Sequence, residues 1–215
     1  MGLEHHLREQ SFRYTNNWFD ATAKNVWDNL FLQFKPKKIL EIGSYEGAST
    51  CYLIEKLAVD STIEIHCIDT WEGGIEHQDC GIDMAAVESR FLHNTSLALS
   101  KVSMSVRLVL HKGYSDYSLA ALISQNHGNS FDMVYVDGSH QAPGVLADAV
   151  MSFKLLRVGG IMVFDDYLWS EELQYGSDLL RSPKLAIDAF INCYFRKVKV
   201  ISAPLYQLYV RKVAE

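Results

Sequence analysis

The sequence is short of several things at once. Its 215 residues include 4 cysteines and 4 prolines. Cys51, Cys67, Cys80 and Cys193 form no C-x-x-C pair, so neither a knuckle of metal ligands nor a dense disulfide framework is indicated, and reduced thiols are expected. With 13 glycines and few prolines, a collagen-like or proline-rich chain is excluded. No apolar run reaches the ~18 residues that a membrane span needs. Basic residues are also in deficit. The 20 Lys plus Arg against 26 Asp plus Glu leave a formal net charge of -6, with no electrostatic ground for broad binding to nucleic acid or to an anionic membrane. The opening stretch MGLEHHLREQ does not show the basic-then-apolar order of a secretory signal, and a cytoplasmic location is expected.

What is present is the profile of an ordinary single domain, 48% hydrophobic and 21% charged. Residues 1–35 read as a helical segment in which Trp18, Phe19, Ala21, Val26, Trp27, Leu30 and Phe31 recur at helical spacing until Lys35-Pro36. It is expected to act as a lid or as the contact of a homodimer. Five short apolar runs follow, at Lys38 to Ile42, Ile63 to Ile68, Val106 to Leu110, Phe131 to Val136 and Ile161 to Phe164. They are nearly continuous, as strands covered on both faces should be. Helix-compatible segments separate them: Ala48 to Ala58, Met84 to Leu97, Ser118 to Ser124 and Pro143 to Leu156. Repeated β-α units predict an α/β fold with a parallel sheet between helical layers. After a helix from Pro183 to Phe195, the runs Val198 to Ser202 and Tyr206 to Val213 are close enough to pair only as antiparallel neighbours.

Polar residues gather where these strands end: Glu41, Asp69, Lys112, Asp137 and the pair Asp165-Asp166. In open α/β sheets that rim binds ligands. The turn after the first strand, Glu41-Ile-Gly43-Ser-Tyr45-Glu-Gly47, has glycines that let a ligand approach the backbone. Its G-x-x-x-G spacing puts Tyr45 where a dinucleotide turn keeps its middle glycine. An NAD-type oxidoreductase is therefore a disfavoured alternative, as is a scaffold protein that binds a cofactor without turnover. Asp69, more than 20 residues beyond the turn, is placed to hold a ribose hydroxyl pair, with Trp71 as a wall of the pocket. Asp137, Asp165 and Asp166 would repel one another unless joined by a hard divalent cation such as Mg²⁺. His140, with a near-neutral pKa, is suited to take a proton from a metal-acidified hydroxyl or to orient the substrate. The glycine-rich stretch from Trp71 to Gly81 reads as an irregular specificity loop.

From residue 36 onward the pattern resembles the class I S-adenosylmethionine-dependent methyltransferases, and the acid set resembles their metal-dependent O-methyltransferases, of both the catechol and the macrolide or aminocoumarin sugar types. The resemblance implies a three-layer Rossmann-like domain over residues 36–215, with a mostly parallel seven-stranded sheet closed by a C-terminal antiparallel hairpin. It further implies S-adenosylmethionine and Mg²⁺, or another divalent cation, as cofactors. Gly43 and Gly47 would flank the methionine part, with Ser44 a further cofactor contact in the same turn; Tyr45 and Ser49 would hold its carboxylate, and Glu41 its ammonium group. Asp69, Thr70 and Trp71 would line the ribose side, and Ser115 and Asp116 the adenine. Asp137, Asp165 and Asp166 would hold the metal, with Asp137 and His140 catalytic. The expected acceptor is a small hydroxylated molecule, a sugar or other polyhydroxylated metabolite being preferred, with no role for nucleic acid or membrane.

Overall fold

The computed structural model describes residues 10–171, 173–174 and 176–215. In chain order the elements are α1 (Trp18–Thr22), α2 (Lys24–Gln33), β1 (Lys38–Ile42), α3 (Ala48–Leu57), β2 (Ile63–Asp69), α4 (Ile75–Asp79), α5 (Met84–Lys101), β3 (Val106–Lys112), α6 (Ser115–Ser124), β4 (Phe131–Val136), α7 (Ala142–Leu155), β5 (Leu156–Phe164), α8 (Pro183–Tyr194), β6 (Val198–Ile201) and β7 (Leu208–Lys212). The strands form one seven-stranded sheet in the order β3-β2-β1-β4-β5-β7-β6. The first five are mutually parallel, and β7 pairs antiparallel with both β5 and β6. This is the mostly parallel, Rossmann-like sheet with a terminal hairpin that the β-α rhythm predicts.

Alternation along each strand sorts side chains into two cores. Leu40, Ile42, Val134, Val136, Met162 and Phe164 pack with Leu119 and Leu122 of α6, Val145 and Phe153 of α7 and Phe190 of α8. Their neighbours Ile39, Ile65, Met133, Tyr135, Ile161 and Val163 face the other way, onto Trp27 and Phe31 of α2, Leu53 and Ile54 of α3 and Phe91 of α5. Three layers follow. The expectation of strands covered on both faces holds for β1, β4 and the second half of β5, but β3 at the edge is only half-buried.

The N-terminal reading needs correction. Residues 12–14 and 16–17 carry neither helix nor turn, and the helical part is two pieces, α1 and α2; residues 1–9 lie outside the described set. The aromatic spacing buries Trp27 and Phe31 of α2 fully, and Phe19 of α1 packs edge-on against Trp27 with ring centroids 5.1 Å apart. The hinge between α1 and α2 is Ala23, whose N–H donates to the Phe19 carbonyl. Likewise the stretch from Trp71 to Gly81 contains the short helix α4.

At the far end of the sheet, Lys212 of β7 is 1% exposed, and its ammonium is held by Asn129 Oδ1 at 2.7 Å and by the carbonyls of Leu156 and Phe153 at 2.8 and 3.0 Å. A buried cation is tolerated only with such a complete set of acceptors. None of the helices among the described residues is long and apolar enough to cross a membrane.

Candidate active site

The carboxyl ends of β1, β2, β4 and β5 open into a cavity of about 860 Å³. Its near wall is the turn between β1 and α3. Gly43, Tyr45 and Gly47 all have positive φ, at 83°, 47° and 80°, and Gly47 caps α3 in the left-handed conformation. The glycines are demanded by the protein itself. A Cβ on Gly43 would lie 2.0 Å from the Asp137 carbonyl oxygen, and one on Gly47 would lie 3.0 Å from the Phe91 ring. Gly43 lines the cavity and Gly47 does not.

Two carboxylates hold this turn in shape. Asp69, at the end of β2, accepts from the N–H groups of Ser44 and Tyr45 at 2.8 and 2.9 Å through Oδ2, and from Trp71 N at 2.7 Å through Oδ1. It stands in the cavity wall with Thr70, although much of its accepting capacity is already engaged. Glu41 behaves differently from expectation. Its side chain points from β1 into the layer beneath α3, is fully buried, and accepts from the hydroxyls of Ser44, Ser49 and Thr50 and from the Cys67 thiol. Burial pushes its pKa up, against the pull of the three hydroxyls. The carboxylate therefore lies away from the cavity, where a ligand ammonium group could not meet it. Trp71 also departs from expectation: it packs on Phe91 with ring centroids 4.9 Å apart, donates from Nε1 to the Tyr45 carbonyl, and is not part of the cavity wall.

Ser44, Tyr45 and Ser49 do line the cavity, as does Ser115 at the start of α6. Asp116, the expected adenine contact, is exposed in the first turn of α6 and outside the wall. A residue the sequence reading passed over lies there instead: Asp148 of α7, 2% exposed and part of the lining.

The opposite end carries the acids. Oxygens of Asp137 and Asp166 and a ring nitrogen of His140 all lie within 4.8 Å of one another. His140 Nε2 is 2.9 Å from Asp166 Oδ2, and the imidazole rests against Trp169 with ring centroids 4.2 Å apart. Asp165, expected as a third ligand, is not in that set. Its Oδ1 accepts from the Asp166 N–H at 2.9 Å, while its Oδ2 meets the hydroxyl of Tyr135, which also lies 3.0 Å from Asp137 Oδ2. The backbone at Asp166 has φ 55°, a left-handed turn that separates two consecutive carboxylates. Burial first, then Asp165 and Asp166, push the Asp137 pKa well up. Burial and Asp166 bring Asp165 to about 6. No lysine or arginine is among the described residues that line the cavity, so the protein supplies no permanent cation to these acids. Two converging carboxylates and an imidazole, with no lysine or arginine beside them among the described lining residues, are a donor set that fits a divalent cation. Tyr167, the residue after the acidic pair, turns to Asp188 and Lys184.

Chain before β1 forms the roof. Tyr14, Asn16, Trp18 and Phe19 face the cavity. The segment is fastened by Thr15, whose N–H and hydroxyl both donate to the Glu46 carboxylate at 2.7 and 2.8 Å, while Arg90 Nε meets the same carboxylate at 2.5 Å. Tyr45 stands in the mouth between Trp18 and His77, with ring centroids 5.6 and 5.4 Å away.

A family model described as "Methyltransferase domain" matches residues 40–167. Two relatives are similar in sequence. An uncharacterized protein, R132, of Acanthamoeba polyphaga mimivirus is 27% identical over 158 residues, which is 69% of this chain but only 62% of the relative's length. A probable caffeoyl-CoA O-methyltransferase 3 of Dictyostelium discoideum is 23% identical over 200 residues, covering 88% of this chain and 69% of the other. Among solved structures, an O-methyltransferase from Bacillus cereus in complex with SAH shares the fold, with a TM-score of 0.59 at 16% identity over 98% of this chain and 88% of that one.

Proposed function

Because the chain belongs to the methyltransferase-domain family, we propose that it moves a methyl group from S-adenosylmethionine to a hydroxyl of a small molecule, assisted by a divalent cation. The observation that carries this reading is the meeting of Asp137, His140 and Asp166 in the same cavity as the turn at Gly43 to Tyr45. The donor would lie along that turn, with Ser44, Tyr45, Ser49, Asp69, Thr70 and Ser115 within its reach. Asp137 and Asp166 would hold the cation, and Asp165, joined to Asp137 through the Tyr135 hydroxyl, would fix the orientation of both. When bound, the cation acidifies the acceptor hydroxyl and fixes its position.

The rest is the work of the chain. A lone pair of the acceptor oxygen forms the new bond to the methyl carbon, the carbon–sulfur pair returns to sulfur, and the hydroxyl proton goes to His140 Nε2. That nitrogen lies 2.9 Å from Asp166 Oδ2, and in the ring tautomer that carries its proton on Nδ1 it presents the lone pair that accepts. Trp169 keeps the imidazole in place. The roof from Tyr14 to Phe19 excludes water, and the rate gain comes mainly from alignment of the two reacting centres. A sugar or other polyhydroxylated metabolite is the preferred acceptor, since such molecules offer hydroxyls to a site that holds carboxylates.

The test is transfer from labelled S-adenosylmethionine across a panel of hydroxylated acceptors, with and without Mg²⁺ or Mn²⁺. Label should move only with the cation, and His140→Ala should lower the rate by ~100-fold or more even at saturating cation. Recovery of the His140→Ala rate on raising the cation concentration would make the imidazole a ligand instead. Donor binding without transfer to any acceptor would favour the non-catalytic scaffold.

A further inference from the structure

The order of strands gives the cavity a direction. Along the rim, Gly113 to Ser115 after β3 and Asp69 to Thr70 after β2 lie on one side of the glycine turn, and the acids after β4 and β5 lie on the other. On the methyl-donor reading, on which this inference rests, the sulfonium faces the acids. The ribose then falls near β2 and the base near β3.

One polar group at the β3 end is unaccounted for. Asp148 sits in the second turn of α7 amid the apolar run Val145 to Val150. It is 2% exposed and lines the cavity, yet its Oδ1 has no hydrogen-bond partner. Ser115 stands against the same carboxylate, and Asp116 adds a repulsive charge nearby. A carboxylate oxygen kept from water and left unpaired is costly unless something else completes it. The missing partner must be a donor, because an ionised carboxylate only accepts. A purine nucleoside carries donors at the ribose hydroxyls, which belong at β2, and, in adenine, at the exocyclic amino group. Asp116, the other acid of this region, is exposed and outside the wall.

We propose that Asp148 Oδ1 accepts a hydrogen bond from the 6-amino group of the donor's adenine, making Asp148 the residue that selects a 6-aminopurine. Selection arises because a base without the amino group leaves the buried oxygen unpaired.

The experiment measures binding of S-adenosylhomocysteine and of its 6-deamino analogue by calorimetry, in the full-length protein and its variants. The wild type should prefer the amino form by about 10- to 100-fold. Asp148→Leu should bring the two affinities to within about threefold of each other, by weakening the amino form. Since a buried leucine could impair folding, Asp148→Asn, close in shape, serves as the second variant, and its neutral oxygen should shrink the preference by roughly threefold or more. Equal binding of both ligands by the wild type, or an unchanged preference in the folded variants, overturns the proposal. Failure of the wild type to bind either ligand overturns the methyl-donor reading, and this inference with it.

Discussion

The Tyr135 hydroxyl stands 3.0 Å from Asp137 Oδ2. It also contacts Asp165, and its single proton can serve only one of the two carboxylates at a time. The two acids are therefore tied together by one phenol, and their mutual repulsion, which helps raise the pKa of Asp137, is what a bound cation would relieve.

Cation binding should depend on the members of this cluster unequally. Asp137→Asn and Asp166→Asn should each weaken Mg²⁺ or Mn²⁺ binding by about tenfold or more, and Asp165→Asn by less. Calorimetric titration of the four proteins checks the ranking. A cation at 100 times its dissociation constant should add about 2.7 kcal/mol of stability, and a chelator should remove it; thermal melts read this directly.

Gly43→Ala should be among the most damaging small substitutions. The new methyl would overlap the Asp137 carbonyl, at a backbone angle that alanine rarely adopts. A loss of about 3 kcal/mol or more is expected, measured as a shift of the urea midpoint. Because the clash lies against the backbone of the residue after β4, cation affinity should fall as well.

Asp148 gives the ligand-free protein a defined pH response. Burial, aided by Asp116 and opposed by Ser115, pushes its pKa up to about 6 from an ordinary 3.8. A carboxyl group with a raised pKa binds protons more strongly folded than unfolded, so its contribution to stability grows as pH falls from about 6 towards 4. Asp148→Asn should therefore stabilise the protein at pH 8 by ~2–3 kcal/mol and flatten its stability between pH 4 and 6. Urea unfolding at pH 4.5, 6 and 8 provides the comparison.

Thr15→Ala should loosen the roof while leaving the sheet intact. Removing the hydroxyl bond to Glu46 is worth about 1 kcal/mol locally. Amide exchange in residues 12–22 should quicken roughly fivefold, while amides of β1 and β4 keep wild-type protection. A uniform change across the chain would mean that the segment is part of the global folding unit.

The rim was legible because its acids directly follow apolar runs, and a strand's last residue has only one place to be. That logic located Asp69, Asp137 and the pair Asp165-Asp166. It failed for Glu41, which belongs to β1 itself: alternation turns its side chain beneath α3, where Ser44, Ser49 and Thr50 supply three hydroxyls. Tyr135 and Asp148 were missed for the opposite reason. Each sits inside an apolar run and reads as packing, and only the third dimension shows that the tyrosine hydroxyl emerges beside Asp137 and the aspartate beside Ser115. The irregular course of residues 12–14 and 16–17 was equally hidden, since it depends on Glu46 and Asn94, distant partners that leave no periodic trace.

Gln207, just ahead of β7 and 1% exposed, accepts from Trp27 Nε1 at 3.1 Å and from the Tyr209 hydroxyl, and its amide lies 3.5 Å from the hydroxyl of Tyr135. Three regions separated by most of the polypeptide thus meet at one amide group. During synthesis on the ribosome, β1 to β5 can emerge and pair while the position of Tyr135 remains incompletely set. The chemical centre is finished only when the last hairpin arrives, so a nascent chain stalled before residue 207 would carry every acid of the site without the scaffold that aims them.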